Sequence, residues 1–263
     1  MEEIIKNLLK DLEKKYNITI LFAAETGSRN WGYNTEESDY DIHFVFYRHL
    51  KEYISLNKMP NKIVIGYDEN LNERKKEGSF IEMSGFDIFK YSQLLLNSNL
   101  STIEWINASK IYLGDNNVEL RTYINNNFNK KSVVFQYITC FKLSYKEHIK
   151  GNEITYKKYL HTIRNMLNAE YVIKYNKLPP NLMTQTLDEL KNDISPEVYH
   201  KIKELIGIIL QKRGKDKVKE IPVLDKYYEY VTNKLEHFSC EGKEKNVNVF
   251  NKFLQDLLIK NEK

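Results

Sequence analysis

The spacing of apolar residues divides this chain into a strand-rich first part and a helix-rich remainder. Ile4, Ile5, Leu8, Leu9 and Leu12 recur at helical spacing and predict an opening helix with one face for a core. Residues 18–24 are a short β-branched and apolar run between polar neighbours, which predicts a buried strand. From Tyr40 to Tyr47 the pattern alternates. Ile42, Phe44 and Phe46 share one side, while Asp39, Asp41 and His43 share the other. Strands are also predicted near 62–67 and 80–84, and the polar stretch 68–78 reads as a mobile loop beside the site. Helices follow over 88–97, where Ile88, Tyr91, Leu94 and Leu95 are periodic, and over 102–108. Gly114-Asp115-Asn116-Asn117 is turn-forming and marks the expected boundary between domains 1–114 and 115–263.

Beyond that boundary the patterns are mostly helical. Over 154–175, Tyr156, Leu160, Ile163, Leu167 and Tyr171 make an apolar stripe, and Lys157, His161, Arg164 and Asn168 line up on another. The second stripe reads either as a solvated, ion-paired face or as a surface for phosphate. Residues 227–258, with Val231, Leu235, Phe238, Phe250, Leu254 and Leu257, read as an ordinary packed helical end.

Composition changes this picture little. With 263 residues the chain is long enough for a real core, and its net charge of +4 is too small to argue for nucleic acid by itself. Positive charge is concentrated in Lys212-Arg213-Gly214-Lys215-Asp216-Lys217-Val218-Lys219, which reads first as a solvated loop and second as an RNA contact. Cys140 and Cys240 are the only cysteines and stand far apart without a Cys/His cluster, so neither a disulfide framework nor a zinc site is suggested. They read as free thiols in the cytoplasm. No long apolar segment and no signal-peptide pattern occurs, so a soluble protein without a membrane partner is expected.

The chemistry is concentrated where the first strand ends, at Glu25-Thr26-Gly27-Ser28-Arg29. A glycine lets the backbone turn sharply and approach a ligand, and the Ser28 hydroxyl, nearby amides and Arg29 can donate to phosphate oxygens. Arg29 has a second reading, as the partner of a structural carboxylate. Asp39 and Asp41, two residues apart on one strand face, repel each other unless solvated, sharing a proton or binding a cation. Mg²⁺ suits such a pair, because it takes a few carboxylate oxygens and completes its shell with water and phosphate.

Gly27-Ser28-Arg29-Asn30-Trp31-Gly32-Tyr33 followed by Ser38-Asp39-Tyr40-Asp41 resembles the signature of the DNA polymerase β superfamily of nucleotidyltransferases. Within it the chain most resembles the RlaP-type predicted nucleotidyltransferases associated with RNA repair. Further matches are Ser84 to Lys90, Asn97-Ser98-Asn99, Ile103 to Ile106, Lys157-Lys158-Tyr159 with Arg164, and Leu178-Pro179-Pro180. The chain departs from that subgroup at Phe86 and Phe89, where tryptophan and arginine are usual.

The resemblance implies an α+β fold: a polymerase β-like core of a small mixed sheet with helices, followed by a mainly helical C-terminal domain. It implies two Mg²⁺ ions held by Asp39 and Asp41, with Gly27 and Ser28 on the β and γ phosphates of a nucleoside triphosphate and Arg29, Lys157 and Arg164 as further phosphate contacts. A third carboxylate is expected. Glu82, in a strand-like alternation, fits the geometry of a metal ligand better than Asp87, whose other reading is a helix N-cap. The expected activity moves a nucleoside monophosphate from the triphosphate to a hydroxyl on an RNA end, tRNA included. The alternatives are a protein hydroxyl as acceptor, as in AMPylation, and a catalytically silent nucleotide- or RNA-binding module.

Overall fold

Alternation along residues 40–47 has the consequence expected of a strand with one dry side. Ile42, Phe44 and Phe46 are fully buried, and they meet Ile5, Leu9 and Leu12 of the opening helix in one core. Each such side chain contributes roughly 1.5–3 kcal/mol on burial. The computed structural model describes residues 1–75, 78–149 and 154–260. In chain order its principal elements are α1 (Glu2–Tyr16), β1 (Thr19–Glu25), α2 (Gly27–Trp31), β2 (Tyr40–Tyr47), α3 (Leu50–Tyr53), β3 (Lys62–Tyr67), β4 (Glu73–Arg74) and β5 (Ile81–Asp87). There follow α4 (Ile88–Leu96), α5 (Leu100–Ile106), β6 (Ile111–Gly114), α6 (Val118–Asn127), α7 (Lys130–Ser144), α8 (Tyr156–Tyr175), α9 (Met183–Glu189), α10 (Pro196–Ile208), α11 (Pro222–Glu236) and α12 (Val247–Lys260). No helix among the described residues is long and apolar enough to cross a membrane.

The fold is of the expected α+β class. Two compact units divide the chain, one built from residues 1–30, 39–128 and 244 onward, the other from 31–38 and 129–243. This differs from the expected cut after Gly114. In the first unit α12 packs on α4, and Tyr123 of α6 meets Phe250 of α12 edge-on, so the C-terminal helix belongs with the sheet. The stretch read as a single helical end is two helices, α11 in the second unit and α12 in the first.

The first unit carries a six-stranded mixed sheet of order β4-β3-β5-β2-β1-β6. Only β2 and β5 pair in parallel; the other neighbours are antiparallel. One edge strand, β6, lies in what the sequence read as the approach to a boundary turn, because four residues are too few to show a period. The other edge replaces the expected mobile loop. Asp68 accepts hydrogen bonds from the backbone of Asn70 and Asn72, both at 2.9 Å, turning the chain so that β4 returns along β3. Lys76 and Glu77 of that stretch lie outside the described residues.

The second unit is organised around α8, whose residues from Tyr159 to Val172 are almost all buried. Its polar stripe is therefore no solvated face: Arg164 and Asn168 are buried, while Lys157 and His161 are half-buried. Buried Glu170 of the same helix accepts from the Tyr227 hydroxyl and pairs with Lys234 at 2.7 Å, which satisfies its charge.

Candidate active site

Glu82 and Asp41 are direct register partners in the parallel pairing of β5 with β2. Partners in a ladder point to the same side of the sheet, so the two carboxylates stand next to one another, half-buried, on the face away from α1. Asp39 stands just ahead of β2, two residues before Asp41. Farther along, Val45 is fully buried, and α4 packs on β2. The helices thus cover one end of this face.

Gly27 opens α2 with φ +64°, a conformation that side chains disfavour. A Cβ there would collide with Asp41 Oδ2 and lie 2.9 Å from Asp41 Cγ. The glycine is required twice, for its backbone angle and because the carboxylate fills the space above it. Ser28 follows, buried in the first turn of α2. Thr26 anchors the approach: its N–H donates to the Asp41 carbonyl at 2.8 Å. Its hydroxyl lies 3.1 Å from that oxygen and 2.7 Å from His43 Nδ1. His43 in turn stacks on Trp105 at 4.5 Å. Thr26 and Trp105 as supports of Asp41 and His43 were missed from sequence, although Thr26 stands in the glycine turn and Trp105 in the matched stretch Ile103 to Ile106.

Arg29 is engaged by the protein itself. Its Nε donates to the Asp39 carbonyl at 3.2 Å and lies 3.7 Å from Glu25 Oε1, and its guanidinium covers the Tyr40 ring at 3.7 Å. Of the two readings of Arg29, these contacts display the pairing with a structural carboxylate, and they fix the backbone that presents Asp39. Burial pushes the Glu25 carboxyl above its ordinary range, against the opposing effects of Tyr112 and Arg29.

Asp87 is not brought to this site. It lies five residues from Glu82 on β5, about 16 Å along the strand and on the opposite face. It is the N-cap of α4, accepting from the Phe89 amide at 3.0 Å, and its other oxygen accepts from Arg48 at 3.2 Å and Tyr53 at 2.8 Å. Burial raises its carboxyl above the ordinary range. Its catalytic reading is corrected to a capping one, because every contact it makes belongs to the far end of the sheet. Phe89, at the other departure from the subgroup, packs on Tyr53 at 4.8 Å.

In the second unit Trp31 connects the stretch 31–38 to α8. The Arg164 guanidinium lies 4.1 Å over the Trp31 ring, and His161 is 5.5 Å from it. Lys157 is one turn before His161, at the start of the same helix.

Among the described residues no three His, Cys, Asp or Glu side chains are grouped closely enough to form a metal site. The donor set nevertheless suits a hard divalent cation. Asp41 and Glu82 offer oxygens side by side, Asp39 stands two residues before Asp41, and the glycine beneath Asp41 leaves its carboxylate uncrowded by a side chain.

Residues 1–260 match RlaP, the RNA repair pathway DNA polymerase beta family. The chain is similar to the uncharacterized protein YcgL of Bacillus subtilis (strain 168), with 25% identity over 246 residues, 93% of this chain and 89% of that one. A solved structure of a nucleotidyltransferase-like protein from Exiguobacterium sibiricum 255-15 overlaps 90% of this chain and 81% of that chain, at 13% identity and a TM-score of 0.32. At that TM-score the likeness carries no argument.

Proposed function

The chain belongs to the RlaP family, the RNA repair pathway DNA polymerase beta family, and from that premise we propose that it is a Mg²⁺-dependent nucleotidyltransferase acting on RNA ends in the cytoplasm. In the reaction an acceptor hydroxyl attacks the α-phosphorus of a nucleoside triphosphate. A new P–O bond forms to the acceptor, the bond to pyrophosphate breaks, and the hydroxyl proton leaves to a carboxylate.

The observation that carries this reading is the pairing of Asp41 with Glu82 on one face, beside the glycine turn. Asp39, Asp41 and Glu82 would hold two Mg²⁺ ions, which supply a lowered pKa at the attacking hydroxyl and charge neutralisation on the pyrophosphate. Glu82 would take the proton. The Ser28 hydroxyl and the backbone of Gly27 would receive the terminal phosphates, and Thr26 and Arg29 hold the two aspartates in place through their carbonyls. Lys157 and Arg164 enter as phosphate contacts on the strength of the resemblance. Transfer of label from an α-labelled triphosphate to RNA ends tests the reading, with candidate proteins as parallel acceptors. Asp41→Asn should abolish the transfer and leave the fold intact; undiminished transfer by that variant would overturn it.

A further inference from the structure

We propose that the second unit carries a docking surface for the phosphodiester backbone of single-stranded RNA, formed by Lys215, Lys217 and Lys219 together with Lys157. This deepens the transferase reading by naming where the acceptor strand runs, and it rests on that reading only for the purpose of the contact. The observation is a juxtaposition between segments nearly sixty residues apart in sequence. The Lys157 amide donates to the Gly214 carbonyl at 2.9 Å, the Val218 amide donates to the Ile154 carbonyl at 3.1 Å, and Thr155 forms a β-bridge with Lys217. The lysine-rich turn is therefore an ordered structure stitched to the first turn of α8.

The charge of this cluster is spent only in part. Lys212 is neutralised by Glu36 and Glu37, at 3.6 and 3.0 Å, and Arg213 by Asp216 at 2.8 Å. Among the described residues no ion pair engages Lys157, Lys215, Lys217 or Lys219. Lys215, Lys217 and Lys219 are exposed. Their backbone anchorage reduces the ordering cost of meeting a regularly spaced polyanion. An ordered cationic track of this kind follows the phosphodiester backbone of a nucleic-acid strand, and its affinity falls as salt rises.

The test uses the full chain without triphosphate or divalent cation, titrated into fluorescein-labelled oligouridylate at several NaCl concentrations and followed by anisotropy. Two variants are compared with the parent: Lys215→Gln/Lys217→Gln/Lys219→Gln and the charge-matched control Lys10→Gln/Lys14→Gln/Lys58→Gln. The first should bind at least about tenfold more weakly near 0.1 M salt, with a slope of log affinity against log salt shallower by about 2, near 0.7 per lost contact. The control should bind as the parent does. Equal losses in the first variant and the control, or no loss in either, would overturn the proposal. So would a loss confined to vesicles containing phosphatidylserine with RNA binding unchanged. Because binding is read without chemistry, a failed surface and a failed transferase assay are separate results.

Discussion

Glu82 faces Asp41 across the parallel pair of strands at the centre of the sheet. Two like charges directly opposite cost a sheet about 0.2–1 kcal/mol. Asp41→Asn or Glu82→Gln should therefore raise thermal stability slightly in the absence of divalent cations, while lowering the rate of nucleotidyl transfer at least about a hundredfold. The double variant should be no slower than either single one, because the pair acts as a unit. Melting curves with EDTA and single-turnover rates check the two halves of this prediction.

Gly27 and Gly78 both have positive φ, +64° and +73°, yet their surroundings differ. Among the described residues, alanine at Gly78 meets nothing within 4 Å and should cost only backbone strain, about 1 kcal/mol. Alanine at Gly27 adds a collision with the Asp41 carboxylate and should cost about 3 kcal/mol or more, with transfer lost in parallel. Urea titrations of the two variants measure the contrast; equal costs would show that Asp41 yields freely.

Asp87 should behave as a structural acid. Removing it leaves the Arg48 guanidinium buried beside an empty cap, so Asp87→Ala should destabilise the protein by about 3–5 kcal/mol. Whatever fraction remains folded should retain the parental specific activity, which is the reverse of the pattern expected of Asp41→Asn.

The pH dependence of stability should report on Glu25. Its folded pKa is raised by burial above the ordinary 4.5, so the folded state keeps its proton to higher pH than the unfolded chain does. The contribution of this group is full below 4.5 and is lost as pH rises through the folded value. Glu25→Gln should therefore match the parent at the acid end of the titration and be the more stable of the two at neutral pH. Denaturant midpoints collected across that range give the sign directly.

Trp31 and Arg164 should be energetically coupled. A guanidinium 4.1 Å over an indole and shielded from water contributes on the order of 1–2 kcal/mol. A double-mutant cycle with Trp31→Leu and Arg164→Met should return a coupling of about that size.

Much of the first unit was legible because period-two alternation is a strong local signal. β2 occupies the residues that alternation marked, and Gly27 stands where a close backbone approach was needed. Glu82 could be proposed as a third acid, but its alignment with Asp41 could not be read, since the register of two strands some forty residues apart is set by tertiary packing. Asp87 was ambiguous for a related reason: the same residue type caps helices and binds metals, and only Arg48 and Tyr53 show which it does here. Arg164 was read on an amphipathic stripe, yet α8 is buried nearly all round, because helices from distant parts of the chain enclose it. The bracing of residues 214–218 against 154–157 was likewise invisible to any local pattern.

Residues 31–38 belong to the second unit although residues 27–30 and 39–41, on either side of them, belong to the first. The polypeptide between Ser28 and Asp39 is therefore shared property, and α12 returns to the first unit from the far end of the chain. Such a protein is woven rather than beaded. No single cut separates the two units, and any fragment that keeps Ser28 together with Asp39 must carry residues of both.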